Sequence, residues 1–82
     1  LVFKNESIMQ VANTLGRMFN VDIEVAKEIE NLTFTVTFVD EPLLQILDLM
    51  TIATPVDYQV LPRKKQSDGT FTKQKIIIKK RV

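Results

Sequence analysis

The sequence predicts an α+β fold in which a duplicated β-α-β unit is followed by a terminal β-hairpin strand, giving the order β-α-β-β-α-β-β. Three observations predict it: a repeat at an offset of 35 residues, two stretches with apolar residues at helical spacing, and several stretches of alternating apolar and polar residues. Because 82 residues are enough for one core only, residues 1–82 are expected to form a single domain with two helices packed with small sheets.

The repeat aligns residues 3–25 with residues 38–60. Six of the 23 aligned positions are identical, whereas about one or two identities are expected by chance. The strongest match pairs the segment Val21–Val25 with the segment Val56–Val60. Each copy is therefore expected to adopt the same strand–helix–strand conformation around a shared core.

In the first copy, an extended segment at Leu1–Lys4 precedes a helix. Asn5 or Ser7 begins this helix, and Ser7 with Gln10 has the spacing of a capping box. Asn20 suits the left-handed residue that ends a helix. The expected core residues of the helix are Ile8, Val11, Ala12, Leu15 and Phe19. A strand with one solvated face follows, with apolar side chains at Val21, Ile23 and Val25.

In the second copy, apolar residues alternate with threonines from Leu32 to Phe38, which is typical of a half-buried strand. Asp40 is predicted to cap the next helix, with Pro42 in its first turn and Pro55 after its end. This helix is apolar over most of its surface, so we expect it to be covered on two sides. Its apolar residues are Leu43, Leu44, Ile46, Leu47, Met50 and Ile52.

A basic tail follows the repeat. The polar segment Pro62–Thr70 contains Asp68-Gly69 and is predicted to be a mobile hairpin loop, and Phe71–Lys79 is predicted to be the returning strand. Lysines on one face of that strand are also typical of a protected sheet edge. Residues 1–62 carry a net charge of −6 and residues 63–82 one of +7. Two interpretations stay open: the basic strand pairs with acidic neighbours in its own sheet, or it steers a charged partner.

The composition argues against catalysis. The chain has no cysteine and no histidine, which removes thiolate nucleophiles, Cys/His zinc sites and imidazole acid–base chemistry. We therefore predict that the domain is not an enzyme and has no cofactor and no metal. No apolar run is long enough to cross a bilayer, and the start at Leu1 suggests a piece of a longer protein.

The residues also resemble a known family. Several segments are similar to the C-terminal domain of FecR-type anti-sigma factors of the Bacteroidetes type. These are the opening Phe3–Ile8 with Val11, Leu15 and Phe19-Asn20-Val21, the strand Thr35–Phe38, the Leu-rich helix Leu43–Met50 and the final Ile76–Ile78. Phe19 where tyrosine is frequent, and the long basic loop Arg63–Thr70, depart from the family pattern.

This resemblance implies the periplasmic signalling domain of a single-pass inner-membrane protein, with a fold like the secretin/TonB short N-terminal domain. It implies that an absent cytoplasmic part holds an extracytoplasmic-function sigma factor. It also implies that the domain receives a signal from an outer-membrane TonB-dependent transducer. We expect the domain itself to bind no nucleic acid and to make no contact with the membrane.

Candidate partner-binding residues lie in the basic tail, although no family motif assigns them. They are Lys73, Lys75, Ile77 and Lys79 on one face of the last strand, and Arg63, Lys64 and Lys65 in the loop. An alternative is a βαββαβ-type nucleic-acid-binding module that uses the same hairpin. Such modules need exposed aromatic residues or a glycine loop that clamps the nucleic-acid backbone. Phe34 and Phe38 fall on the predicted core face, and the chain has only two glycines. A third class is a structural or oligomerisation domain.

Overall fold

The computed structural model describes residues 1–82 and contains five strands, two α-helices and one 3-10 turn. In chain order these are β1 (Val2–Ser7), α1 (Ile8–Phe19), β2 (Asp22–Val25), the 3-10 turn (Lys27–Ile29), β3 (Thr33–Thr37), α2 (Leu43–Ala53), β4 (Val56–Leu61) and β5 (Lys75–Lys80). β1 and β3 form an antiparallel two-stranded sheet, and β2, β5 and β4 lie in that order in a second sheet. The predicted α+β class and element order are confirmed.

The repeat is preserved in the backbone as well as in the sequence. α1 and α2 begin 35 residues apart, at Ile8 and Leu43. Asn5 and Asp40, also 35 residues apart, both adopt the left-handed conformation, with φ of 53° and 63°. Asn and Asp tolerate this region better than other non-glycine residues, because their short polar side chains bond locally. A left-handed residue therefore lies three positions before the start of both helices.

Asp40 does not cap α2, and that expectation is wrong. The N-cap residue is Pro42, and no side chain accepts a hydrogen bond from the first turn. Asp40 instead occupies the turn before the helix. In α1 the predicted cap is confirmed, because Ser7 Oγ accepts a hydrogen bond from the Gln10 N–H at 3.2 Å. Asn20 ends α1 in the left-handed conformation, as predicted.

The first strands of the two copies differ. β1 continues to Ser7, beyond the predicted end at Lys4, and contains a bulge in which Lys4 and Asn5 oppose Thr35. The Asn5 N–H donates to Thr35 Oγ1 at 2.8 Å, so the displaced backbone keeps a partner. The bulge lets β1 lead directly into α1, whereas a loop separates β3 from α2.

One core joins both sheets and both helices. Thirteen residues form it, including Ile8, Val11 and Leu15 from α1 and Ile46, Leu47 and Met50 from α2. Three phenylalanines, Phe3, Phe34 and Phe38, pack with ring centroids 6.3–6.5 Å apart. The predicted shared core is confirmed.

The outer side of α2 corrects another expectation. Leu44 and Ile52 are 52% and 80% exposed, so α2 is covered on one side and not on two. α2 therefore carries more apolar side chains than the fold of this chain buries.

The last strand differs most from expectation. It begins at Lys75 and not at Phe71, and it is the central strand of its sheet, parallel to β2 and antiparallel to β4. Both of its backbone edges are hydrogen-bonded, so the interpretation of its lysines as protection of a sheet edge is wrong. The free edges of this sheet belong to β2 and β4.

Candidate protein-interaction surface

The predicted lysines lie on the solvent-facing side of the three-stranded sheet. Ile76 and Ile78 enter the core, so Lys75, Ile77 and Lys79 point to the other face. Cross-strand neighbours on this face are acidic: Asp22 and Glu24 in β2 lie opposite Lys75 and Ile77, and Asp57 in β4 lies opposite Lys79.

These cross-strand neighbours bring the basic side chains of the C-terminal segment beside the acidic side chains of β2 and β4. Lys75 Nζ lies 3.5 Å from Glu24 Oε1, and Arg81 Nε lies 3.6 Å from Asp57 Oδ1. The basic strand is thus inserted between two acidic strands, which confirms the interpretation that it pairs with acidic neighbours in its own sheet. Lys75 and Lys79 lie beside carboxylates and are less available to a partner than the sequence suggested.

The β4–β5 connection is an ordered hairpin extension. Lys65 and Phe71 form a β-bridge, and the Lys64 carbonyl accepts from the Thr72 N–H at 2.9 Å. Arg63 Nε donates to the Thr72 carbonyl at 3.1 Å. At the tip, Gly69 has a φ of 90°, which favours glycine in a three-residue loop. The segment predicted as a mobile loop thus has defined backbone partners.

The tip also holds a perturbed carboxyl group. The Thr70 hydroxyl and N–H both donate to Asp68 Oδ1, at 2.6 and 2.9 Å. These hydrogen bonds favour the charged form and lower the pKa of Asp68. Asp68 is fully exposed and bonds only within the turn, so we assign this pair the role of stabilising the turn conformation.

Two adjoining clefts bring part of the predicted set together. The larger, of about 540 Å³, is lined by Lys64, Lys73 and Lys75 and lies where β2 and β5 begin and β4 ends. The second, of about 440 Å³, contains Arg17 and again Lys73. Their shared lining residues are Val21, Asp22 and Lys73. We call the two together the basic cleft.

The basic cleft includes residues that the sequence did not nominate. Arg17 and Asp22 belong to it, whereas Lys65, Ile77 and Lys79 do not, and Arg63 lines a smaller neighbouring cavity. The only signal for Arg17 was its position in the last turn of α1.

β4 presents the longer free edge of the three-stranded sheet. The Arg81 N–H donates to the Pro55 carbonyl at 3.0 Å, and this bond sets the alternation along the pair. The N–H and C=O groups of Tyr58 and Val60 therefore point away from β5. β4 has six residues without lysine or proline, whereas β2 has four, two of them carboxylates.

A side-chain hydrogen bond links β4 to α2. Tyr58 Oη donates to Asp48 Oδ1 at 2.5 Å. This bond, followed by partial burial and the negative charge of Asp48, raises the pKa of Tyr58. This hydrogen bond therefore anchors β4, the strand with the free edge, to α2 on the core-facing side of the sheet.

Neither helix is long and apolar enough to cross a membrane. No cluster of three or more acidic residues is placed to hold a metal ion.

Comparison with known proteins gives one match. The family model described as FecR, C-terminal, matches residues 1–71, and no curated protein and no solved structure matches the chain. The match covers most of the chain and ends before β5 begins at Lys75. The resemblance seen in the sequence is thereby confirmed: the chain belongs to the FecR C-terminal family, a family of FecR-type anti-sigma regulation.

Proposed function

We propose that this domain is the periplasmic signal-receiving module of a membrane-anchored FecR-type anti-sigma factor. It docks onto the N-terminal domain of an outer-membrane TonB-dependent transducer and relays that contact toward an extracytoplasmic-function sigma factor. Its role is protein–protein interaction and not catalysis. Membership of the FecR C-terminal family supports the regulatory role. The observation that carries the mode of docking is the free edge of β4 at Tyr58 and Val60. At the start of the strand, the Val56 N–H already donates to the Thr54 carbonyl, and the Val56 carbonyl accepts from the Arg81 side chain.

An open edge is a template for another strand. The outward N–H and C=O groups of Tyr58 and Val60 lack strand partners, and an added strand satisfies them by main-chain hydrogen bonds. Proteins usually block such edges with lysine, proline or very short strands. β4 has neither lysine nor proline within its six residues, and Pro55 and Pro62 lie just outside its two ends. Strand addition at β4 is therefore the docking mode that the geometry supports best.

β5 and β2 are poorer sites for strand addition. β5 is paired on both sides and therefore has no free backbone edge to offer an added strand. β2 is shorter, and its carboxylates Asp22 and Glu24 face a sheet neighbour that already neutralises them in part.

The test is a titration of the domain with the N-terminal domain of the transducer encoded beside it. Val60→Pro removes one outward N–H at an edge where proline is tolerated, and Val60→Thr is the matched control that keeps it. We expect Val60→Pro to weaken binding about tenfold or more, since an unpaired group at the interface costs about 1–3 kcal/mol. Val60→Thr should bind as the parent does, and circular dichroism should show both variants folded.

Amide exchange identifies the docking edge directly. We expect the Tyr58 and Val60 amides to gain protection when the transducer domain binds. Protection at Ile23 and Val25 instead would move the added strand to β2. Protection at neither edge would exclude strand addition as the docking mode.

A further inference from the structure

We propose that the basic cleft binds an acidic peptide segment whose carboxylates lie on both sides of Asp22. The inference rests on the proposed function in one respect: the segment is assigned to the docking partner, next to the strand that pairs with β4. The cleft itself follows from the cations that four parts of the chain bring to one place.

The cleft collects positive charge from distant positions. Arg17 comes from the last turn of α1, Lys64 from the hairpin extension, Lys73 from the segment before β5, and Lys75 from its first residue. Asp22 is the only carboxylate among the lining residues. Like charges held close together repel, and a bound anion relieves this repulsion.

Three of these cations have no carboxylate partner. The two ion pairs of the chain are Lys75 with Glu24 and Arg81 with Asp57. No acidic oxygen lies within 4.0 Å of Arg17, Lys64 or Lys73. These side chains are therefore available to an external anion, unlike the lysines on the sheet face.

The shape of the cleft favours a peptide over a compact anion. Its two parts, of about 540 and 440 Å³, are joined at Asp22, which repels any single dense charge centred there. An extended peptide places side chains of residues i and i+2 on the same side, about 6–7 Å apart. Lys64 lines one part of the cleft, Arg17 lines the other and Lys73 lines both, so we assign one such carboxylate to each part.

The walls provide what a peptide backbone requires. Val21, Leu61 and Pro62 supply apolar surface, and Asn13 and Asn20 supply amide groups. Leu61 ends β4, so a partner strand on that edge leads directly into the cleft. The cleft offers no aromatic face on which the bases of a single strand could stack, because Phe34 and Phe38 are buried and the exposed Phe71 is not among the lining residues.

The test uses a fluorescent peptide of alternating glutamate and threonine, with the glutamine–threonine peptide as its control. We expect the glutamate peptide to bind with an affinity that falls as the salt concentration rises, and the glutamine control peptide not to bind. Lys64→Glu/Lys73→Glu should weaken it tenfold or more. Lys4→Glu/Lys27→Glu changes the net charge equally at exposed positions outside the cleft and should leave binding unchanged. Arg17→Glu, in a separate element, repeats the test if the double variant loses its fold.

Equal loss in both double variants, or no peptide binding by the parent, would overturn the cleft proposal. Tighter binding of a single-stranded oligonucleotide than of the peptide, or displacement of the peptide by millimolar inorganic phosphate, would overturn it as well. Val60→Pro should leave peptide binding intact. If the peptide binds and the transducer domain does not, the cleft stands and the proposed function fails. If the transducer domain binds and the peptide does not, the proposed function stands and the cleft proposal fails.

Discussion

At the scale of single residues, the pairing of Tyr58 with Asp48 is the most informative contact. It joins α2 to β4 just inside the free edge, through a phenol that donates to a carboxylate. Tyr58 is the only tyrosine, and the chain has no tryptophan. Ultraviolet absorbance therefore reports the ionisation of this one phenol.

We expect the phenol of Tyr58 to titrate above the ordinary tyrosine pKa, because ionisation would break its bond to Asp48 and place two negative charges together. The folded-state pKa is raised, so the bond stabilises the fold fully below the unfolded pKa of about 10. This stability is lost as the pH rises through the folded pKa. The measurement is an absorbance titration of the tyrosinate band, with unfolding curves at the same pH values.

Asp48→Asn provides the control for this titration. It removes the charge and keeps the size of the side chain, so the pKa of Tyr58 should fall toward that of free tyrosine. Because asparagine keeps an amide oxygen that can accept from the phenol, Asp48→Ala is the variant that removes both the acceptor and the charge. An unchanged titration in Asp48→Ala would show that partial burial, and not the pair, raises the pKa.

A second prediction at this scale concerns the start of α1. Ser7→Ala should lower the free energy of unfolding by about 0.5–2 kcal/mol, because the Gln10 N–H loses its acceptor. Ser7→Asp restores an acceptor and should keep most of the stability. Equal urea unfolding curves for the alanine and aspartate variants would contradict the capping role.

At the scale of elements, α2 has two apolar faces with different environments. Leu47 and Met50 lie in the core, whereas Leu44 and Ile52 are exposed. Helical periodicity marks one face for burial, but a helix that is apolar over most of its surface does not reveal which face that is. Here the buried face is the one that continues the repeat, since Val11 and Leu15 of α1 align with Ile46 and Met50.

Leu47→Ala should lower the free energy of unfolding by about 2–5 kcal/mol, because Leu47 is fully buried and the change leaves a cavity. Leu44→Ala, the same substitution on the exposed face of α2, should change it by about 0.5 kcal/mol or less. Urea denaturation measures both. A small effect for Leu47 would show that α2 packs through another face.

At the scale of the whole molecule, β5 holds the two copies of the repeat together. It lies between β2 of the first copy and β4 of the second, and it brings Ile76 and Ile78 into the core. The family match ends at residue 71, so β5 lies outside the matched part. A fragment that stops there lacks the strand that closes the larger sheet.

We expect a fragment of residues 1–71 to show no cooperative thermal transition, because it loses two buried isoleucines and the pairing of two strands. Added in excess, a synthetic peptide of residues 72–82 should restore the far-ultraviolet circular dichroism. A fragment ending at residue 81 is the control and should unfold like the full chain. Cooperative unfolding of residues 1–71 alone would mean that β2 and β4 do not need β5.

Much of this architecture was predictable because its signals are local. The helical spacing of Ile8, Val11 and Leu15, the cap at Ser7 and the left-handed Asn20 lie within one stretch of chain. The capping of α2 by Asp40 was predicted wrongly because an acid before a helix suits either a cap or a left-handed turn. Only the backbone, with a φ of 63°, separates these two roles.

The site was predictable in part. Charge nominated Lys64, Lys73 and Lys75, and these three do meet in one cleft. Arg17 and Asp22 join them only because β2 runs parallel to β5, a pairing between residues far apart in the sequence. No local pattern encodes such a pairing.

The sequence by itself determined the repeat, the two helices, the core face of α1 and the family, since each depends on residue identity at fixed spacing. The tertiary structure alone decided that the most basic strand lies in the centre of its sheet. Strand order depends on which partner buries Ile76 and Ile78 and neutralises the neighbouring lysines, and this balance exists only once β2 and β4 are in place. That order moved the free edge to β4 and left Arg17, Lys64 and Lys73 unpaired around Asp22.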